Sequence, residues 1–199
     1  MTLQMLLASG ILVVLVTLGV YLVKVDMPRK REVAVRDIIL EEAERNGLEP
    51  SLVKAVIWKE SKFRPDMIGS KGELGLMQLM PITIEQWRKD HNLEKAPSRK
   101  EIMQPSVNIA IGSWYLAWCG RHWDGYKSKT VLQLAEYNAG RGKLLKNHWN
   151  PKNKAQEVPI KSITFKTTRQ YIKDILEKKA YYDSHPDEDN LTHPKEDNL

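Results

Sequence analysis

One carboxylate in the sequence has the surroundings expected of a catalytic acid. The stretch from position 50 onward has helical spacing, and its apolar positions, Leu52, Val53, Val56 and Ile57, define one face. Glu60 follows four positions after Val56 and three after Ile57, so it extends that apolar face. A carboxyl group among apolar neighbours loses solvation, which raises its pKa. This suits a general acid near neutral pH, whereas a helix-end glutamate that reaches solvent is the alternative interpretation.

Metal and disulfide chemistry have no support in the composition. Cys119 is the single cysteine, which excludes an intramolecular disulfide framework and a cysteine-rich zinc cluster. The five histidines are scattered, and no two of them have metal-ligand spacing on a predicted helix. We therefore expect neither a metal nor a cofactor.

The elements that must position Glu60 are predicted to be helices. Apolar residues recur at helical spacing through most of the chain, whereas alternation with a period of two is scarce. Helices are expected at 35–43, 50–64, 81–87, from 105 onward, and at 130–138, 142–148 and 168–182, with a loop or small hairpin over 67–80. This pattern predicts an all-α domain of about 150 residues, spanning 33–182. Most of the six tryptophans are expected in its core.

The segments that flank this domain differ from it in composition. Residues 1–23 carry no charge and are mostly apolar, and about 20 such residues cross a bilayer, so they predict an uncleaved transmembrane anchor. A short charged linker, 24–32, follows. Its basic residues would hold the domain in the cytoplasm by the positive-inside rule, but the chemistry described below requires the extracytoplasmic side, which we adopt. The acidic residues 183–199 predict a disordered tail.

The net charge of the chain is unevenly distributed. The whole chain carries +6, and residues 183–199 carry −5, so the remainder carries +11. A protein region this basic favours an anionic partner, such as nucleic acid, anionic lipid or an acidic wall polymer. The sequence contains no nucleic-acid-binding motif and no interleaving of aromatic and basic residues, so we expect no nucleic acid partner.

Several short motifs occur in order along the predicted domain. They are Glu60-Ser61, Gly75-Leu76-Met77-Gln78, Asn108-Ile109-Ala110-Ile111-Gly112, Tyr137-Asn138-Ala139-Gly140, and Thr168-Arg169 with Tyr171. In this order and spacing they resemble the catalytic domain of the soluble lytic transglycosylases. That family consists of peptidoglycan-cleaving enzymes with a lysozyme-like fold, related to goose-type lysozyme. The resemblance extends over about 38–182.

The resemblance implies roles for individual residues. Glu60 matches the family's single catalytic acid, and a second group matches residues of the sugar cleft: Ser70, Gln78, Met80, Tyr137 and Asn138. Tyr137 is expected to turn its hydroxyl toward Glu60 or toward the N-acetyl group of the substrate. Ser70 is expected to supply a hydroxyl group to the cleft.

Three positions depart from the family pattern. Gly69 stands where a serine is common, Thr167 where a glutamate is common, and Glu136 where an alanine is common. None of these departures removes the acid itself.

The activity that the resemblance implies is lytic cleavage of peptidoglycan. Glu60 would act as acid and then as base on the β-1,4 bond between N-acetylmuramic acid and N-acetylglucosamine, with formation of a 1,6-anhydro ring. The implied partners are the glycan strand and, through the N-terminal helix, the inner membrane, with the domain on the periplasmic side. A goose-type hydrolytic lysozyme and a non-catalytic wall-binding scaffold remain alternatives.

Overall fold

The structure is a computed structural model that describes residues 3–21, 27–149 and 151–186. The chain divides into two compact units, 1–36 and 37–199. The helices are α1 (Leu3–Tyr21), α2 (Met27–Ala34), α3 (Arg36–Arg45), α4 (Pro50–Ser61), α5 (Pro81–Asp90), α6 (Arg99–Ile102), α7 (Pro105–Arg121), α8 (Lys129–Ala139), α9 (Arg141–Lys146) and α10 (Lys166–Ser184). The described ranges contain no strand, so the predicted all-α class is confirmed.

The first unit consists of α1 and α2. α1 lies within the segment predicted to be a transmembrane anchor, 1–23, and its apolar side chains from Ile11 to Val16 are exposed. A membrane span needs about 20 consecutive apolar residues in one helix. Among the described residues, no helix combines the length and the apolar character that a span requires. The predicted anchor, 1–23, includes residues outside the described ranges and stays a prediction. α2 covers part of the predicted linker, 24–32.

The helices of the second unit begin where the sequence predicts them. Proline is the first residue of α4, α5 and α7, a position at which its fixed φ and missing N–H group are favourable. The short α6 was not predicted from the spacing. It begins with a capping box, in which the Ser98 hydroxyl accepts from the Glu101 N–H and the Glu101 carboxylate accepts from the Ser98 N–H.

The core lies between α4, α7, α8 and α10. α10 packs along α4 and α8, and α7 packs against α5, α6 and α8. Val56 and Ile57 of α4 are fully buried, as are Ile172 and Ile175 of α10. Each such side chain contributes about 1.5–3 kcal/mol by leaving water. This packing brings the last turn of α4 beside α10, where the functional groups lie.

The C-terminal boundary of the domain differs slightly from the prediction. α10 continues to Ser184, two residues beyond the predicted end at 182, and Tyr182 in its last turn is buried. Residues 187–199, most of the predicted acidic tail, lie outside the described residues.

Candidate active site

A cleft of about 530 Å³ opens on the second unit. Its walls come from the end of α4, the loop 67–80, the start of α5, the middle of α7 and the junction of α8 with α9. All six predicted site residues line this cleft: Glu60, Ser70, Gln78, Met80, Tyr137 and Asn138. The structure therefore brings together residues that the sequence places up to 78 positions apart.

Glu60 lies in the last turn of α4, and Lys62, in the left-handed conformation, caps the C-terminus of this helix. Its side chain is half-buried at the wall of the cleft. Burial raises the pKa of Glu60 to about 7, with a hydrogen bond from Tyr171 and the charge of Lys59 opposing the rise and the charge of Glu73 adding to it. The negative end of the helix dipole acts in the same direction as burial. Glu60 is thus placed to hold a proton near neutral pH.

Tyr171 is the residue in direct contact with this acid. It is buried on α10, and its hydroxyl donates a 2.6 Å hydrogen bond to Glu60 Oε1. Burial, together with the nearby Glu60 charge, raises the pKa of Tyr171 well above its ordinary value, so the hydroxyl remains a donor. Tyr171 belongs to one of the sequence motifs but was given no role there. That motif is the sequence feature that could have indicated its place in the site.

Gln78 helps to shape the loop that faces Glu60. Its backbone has a φ of +48°, and its side-chain amide donates to the carbonyl oxygens of Met67 (3.2 Å) and Gly75 (2.8 Å). The amide N–H groups therefore bind the loop itself. Gly75 has a φ of +73°, and a Cβ there would collide with Asn108, so glycine is required by both conformation and space.

Asn108 of α7 connects this loop to the core. It is fully buried, its Oδ1 accepts from the Met77 N–H (2.8 Å), and its Nδ2 donates to the carbonyl oxygens of Leu74 (3.0 Å) and Ile102 (2.9 Å). One turn later, a Cβ at Gly112 would overlap the Met77 side chain, so α7 and the loop approach closely at that point. The Asn108 and Gly112 motif thus supports the cleft wall from behind.

Tyr137 and Asn138 both line the cleft, and each forms a hydrogen bond to another element of the protein. The Tyr137 hydroxyl donates to the Met77 carbonyl oxygen at 3.0 Å rather than to Glu60, because α8 places it above the loop 67–80. The Asn138 Oδ1 accepts from the Thr168 hydroxyl at 2.8 Å, which ties the end of α8 to α10. Both residues therefore position elements of the cleft.

The structure also places the remaining predicted site residues and two of the positions that depart from the family pattern. Ser70 is exposed at the cleft mouth, and Met80 is the half-buried residue just before α5. Glu136 is fully buried behind the cleft, where its carboxylate lies 2.8 Å from His122 Nδ1 and accepts a 2.9 Å hydrogen bond from Trp123 Nε1. Thr167 is exposed in the first turn of α10.

The lining of the cleft is mixed in charge and includes apolar side chains. Its charged lining residues are Glu60, Lys71, Glu73 and Lys143, and no tryptophan is among the described residues that line it.

Three of the six tryptophans are buried and three are half-buried, so the expected core placement holds in part. In the described ranges, no group of three or more His, Cys, Asp or Glu side chains is arranged to hold a metal ion.

Two curated relatives are lytic murein transglycosylases. The soluble lytic murein transglycosylase of Escherichia coli strain K12 is 29% identical over 150 residues, which is 75% of this chain and 23% of that protein. The membrane-bound lytic murein transglycosylase C of Edwardsiella ictaluri is 31% identical over 137 residues, 65% of this chain and 37% of that protein. The chain thus spans well under half the length of these relatives.

Solved structures show the same architecture. The lytic transglycosylase Slt of Pseudomonas aeruginosa, solved as an inactive mutant with glutamine in place of a glutamate, is 31% identical with a TM-score of 0.67 over 80% of this chain and 25% of its own. A 70-kDa soluble lytic transglycosylase in complex with bulgecin A is 26% identical with a TM-score of 0.66 over 82% of this chain and 26% of its own. The model of the transglycosylase SLT domain matches residues 37–160, more than half of the chain, and the protein therefore belongs to that family.

Proposed function

We propose that this protein is a peptidoglycan lytic transglycosylase. It would cleave the β-1,4 bond between N-acetylmuramic acid and N-acetylglucosamine and leave a 1,6-anhydro ring on the muramoyl product. The observation that carries the proposal is the Glu60 carboxyl at the cleft wall, whose burial raises its pKa to about 7. The relatives named lytic murein transglycosylases support the same reaction.

Glu60 would act twice in this reaction. It first donates its proton to the glycosidic oxygen while the bond from that oxygen to C1 breaks, and the substrate's N-acetyl oxygen stabilises the positive charge at C1. Glu60, now a carboxylate, then accepts the proton of the muramoyl C6 hydroxyl, whose oxygen bonds to C1 and closes the ring. Because the nucleophile belongs to the substrate, its effective concentration is high and one protein carboxylate is sufficient.

The neighbours of Glu60 suit both steps. In the first step, burial keeps the proton on Glu60. Between the steps, the 2.6 Å hydrogen bond from the Tyr171 hydroxyl stabilises the carboxylate that has formed. Met77 holds the Tyr137 hydroxyl at 3.0 Å, which fixes that ring at the cleft wall.

The place of action follows from the substrate. Peptidoglycan lies outside the cytoplasmic membrane, so we propose that the catalytic unit acts on the extracytoplasmic side.

Mass spectrometry of the reaction products tests the proposal. The full chain is incubated with purified peptidoglycan sacculi, and muropeptides lighter by one water than hydrolytic products are expected. Glu60→Gln keeps the size of the side chain but removes its proton chemistry, so it should lower cleavage by at least about 10³-fold while the helical circular dichroism is unchanged.

Glu94→Gln is the matched control, because Glu94 is exposed and lies outside the cleft. It should cleave like the unchanged protein. Reducing ends instead of anhydro ends would identify a hydrolytic lysozyme. Sacculi that are bound but not cut, or near-normal cleavage by Glu60→Gln, would refute the proposal.

A further inference from the structure

A second carboxylate lines the same cleft as Glu60. Glu73 lies in the loop 67–80, is half-buried, and shares the cleft wall with Gly69 and Gln78. Its Oε2 accepts a 2.8 Å hydrogen bond from the Lys71 N–H, and its backbone carbonyl accepts from the Gly69 N–H at 2.8 Å. The turn 69–73 therefore holds both the backbone and the carboxylate of Glu73 in place.

Gly69 provides the space that this carboxylate occupies. A Cβ at position 69 would lie 2.7 Å from Gln78 Oε1 and closer still to Glu73 Oε2. Any side chain at this position would displace the Glu73 carboxylate or force the turn to shift. The serine that is common here in the family would have to displace the Glu73 carboxylate. Glycine at position 69 is therefore needed for the observed position of Glu73.

The titratable groups around Glu60 come from several elements. They are Lys59 on α4 itself, Tyr171 with Asp174 on α10, Tyr137 on α8, Lys143 on α9, and Lys71 with Glu73 from the loop. Asp174 forms an ion pair with Lys59 and so offsets its effect. Glu73 is the group among those acting on Glu60 that favours the protonated acid by its charge.

We propose that Glu73 is a second functional carboxylate of the cleft, a positioning residue that acts on Glu60 through its charge, and that residue 69 is glycine so that Glu73 can occupy this place. The inference rests on the proposed function of Glu60 as acid. The Lys71 N–H holds Glu73 Oε2 to its own loop, so the charge of Glu73 has a fixed place at the cleft wall.

The titration of Glu60 in the full chain tests this role directly. Carboxyl resonances of protein labelled with ¹³C-glutamate are followed from pH 4 to 9, and Glu60→Gln identifies the Glu60 signal. Glu73→Gln removes the negative charge at constant size, so the midpoint of Glu60 should fall by at least about 0.5 pH unit. The pH at which the cleavage rate falls to half on the alkaline side should decrease by the same amount, because cleavage needs protonated Glu60. Glu73→Asp keeps the negative charge, so its Glu60 midpoint should lie close to that of the unchanged protein.

Gly69→Ser tests the second half of the proposal. It should displace the Glu73 carboxylate and lower the Glu60 midpoint as Glu73→Gln does. In the double variant the two shifts should not add, because the second change has no charge left to displace. Glu94→Gln, an exposed charge removal away from the cleft, should leave the midpoint unchanged.

The outcomes separate this inference from the proposed function. An unchanged Glu60 midpoint in Glu73→Gln, or additive shifts in the double variant, would overturn the role of Glu73 even if Glu60 is essential. Normal cleavage by Glu60→Gln would overturn the proposed function, whereas the titration by itself would still measure the coupling of Glu73 to Glu60.

Discussion

Two opposing influences act on the Glu60 carboxyl. Burial raises its pKa to about 7, and the Tyr171 hydroxyl, which stabilises the charged form, limits that rise. An acid with such a pKa is protonated below pH 7 and loses its proton as the pH rises through that value. Cleavage that needs protonated Glu60 should therefore decline above about pH 7.

Tyr171→Phe should move this decline to higher pH. The change removes the 2.6 Å hydrogen bond to the carboxylate while keeping the buried ring, so the charged form of Glu60 loses its donor and the Glu60 pKa rises further. A hydrogen bond to a charged group contributes about 1.5 kcal/mol or more, equivalent to about one pH unit. The pH profile of sacculus cleavage measures the shift.

Tyr181→Phe provides a control on the same helix. Tyr181 is exposed on α10 and lies outside the cleft, so its pH profile should match that of the unchanged chain. A Tyr171→Phe profile that moves to lower pH, or does not move, would contradict the role assigned to the hydroxyl. The expected direction is opposite to that of Glu73→Gln, which helps to separate the two contributions.

The helix α7 holds the loop that faces Glu60. The loop 67–80 is not a regular element, and its described ladder consists of two isolated bridges, Ile68 with Leu74 and Leu74 with Leu79. Asn108 supplies further bonds from the core, because its side chain meets backbone groups of Leu74, Met77 and Ile102. The conformation of this cleft wall thus depends on one amide in a neighbouring helix.

Asn108→Ala should destabilise the domain strongly. It removes three hydrogen bonds from a fully buried site and leaves backbone groups without partners, a loss of about 3 kcal/mol. For a domain of this size the Tm should fall by about 10 °C. Thermal unfolding followed by circular dichroism measures it, with the exposed Gln86→Ala on α5 as control. Equal Tm values for the two variants would contradict the role of Asn108.

The chain carries its positive charge outside the acidic C-terminal segment. The part outside residues 183–199 carries +11, and peptidoglycan carries carboxylates in its stem peptides and lactyl groups. This complementarity favours association with the wall but does not select the bond that is cut. Selection belongs to the cleft, whose lining is mixed in charge.

The location of the catalytic unit can be measured on the full chain. A reporter enzyme that is active only outside the cytoplasm, fused after Leu199, should be active if the unit meets its substrate where peptidoglycan lies. A matched fusion to a reporter active only in the cytoplasm should be silent. The reverse pattern would place the unit on the wrong side of the membrane for the proposed activity.

Local sequence patterns predicted most helices of the second unit and singled out Glu60. Proline at the first position and apolar residues at helical spacing depend on local geometry, so α4, α5 and α7 begin where they were predicted to begin. The same local spacing placed Glu60 on an apolar face, and ordered motifs identified the family. The spacing also predicted a transmembrane anchor that the described residues do not support.

The groups that meet around Glu60 depend on packing between elements that are distant in the sequence. Tyr171 is 111 residues from Glu60, and their hydrogen bond depends on how α10 packs along α4. Tyr137 bonds Met77 instead of Glu60 for the same reason, because the pose of α8 over the loop sets its reach. The spacing of residues along the sequence likewise does not indicate that the Glu73 carboxylate lies next to Gly69. Helical periodicity fixes the face on which a residue lies, whereas contacts between distant elements follow from the packing of the whole core.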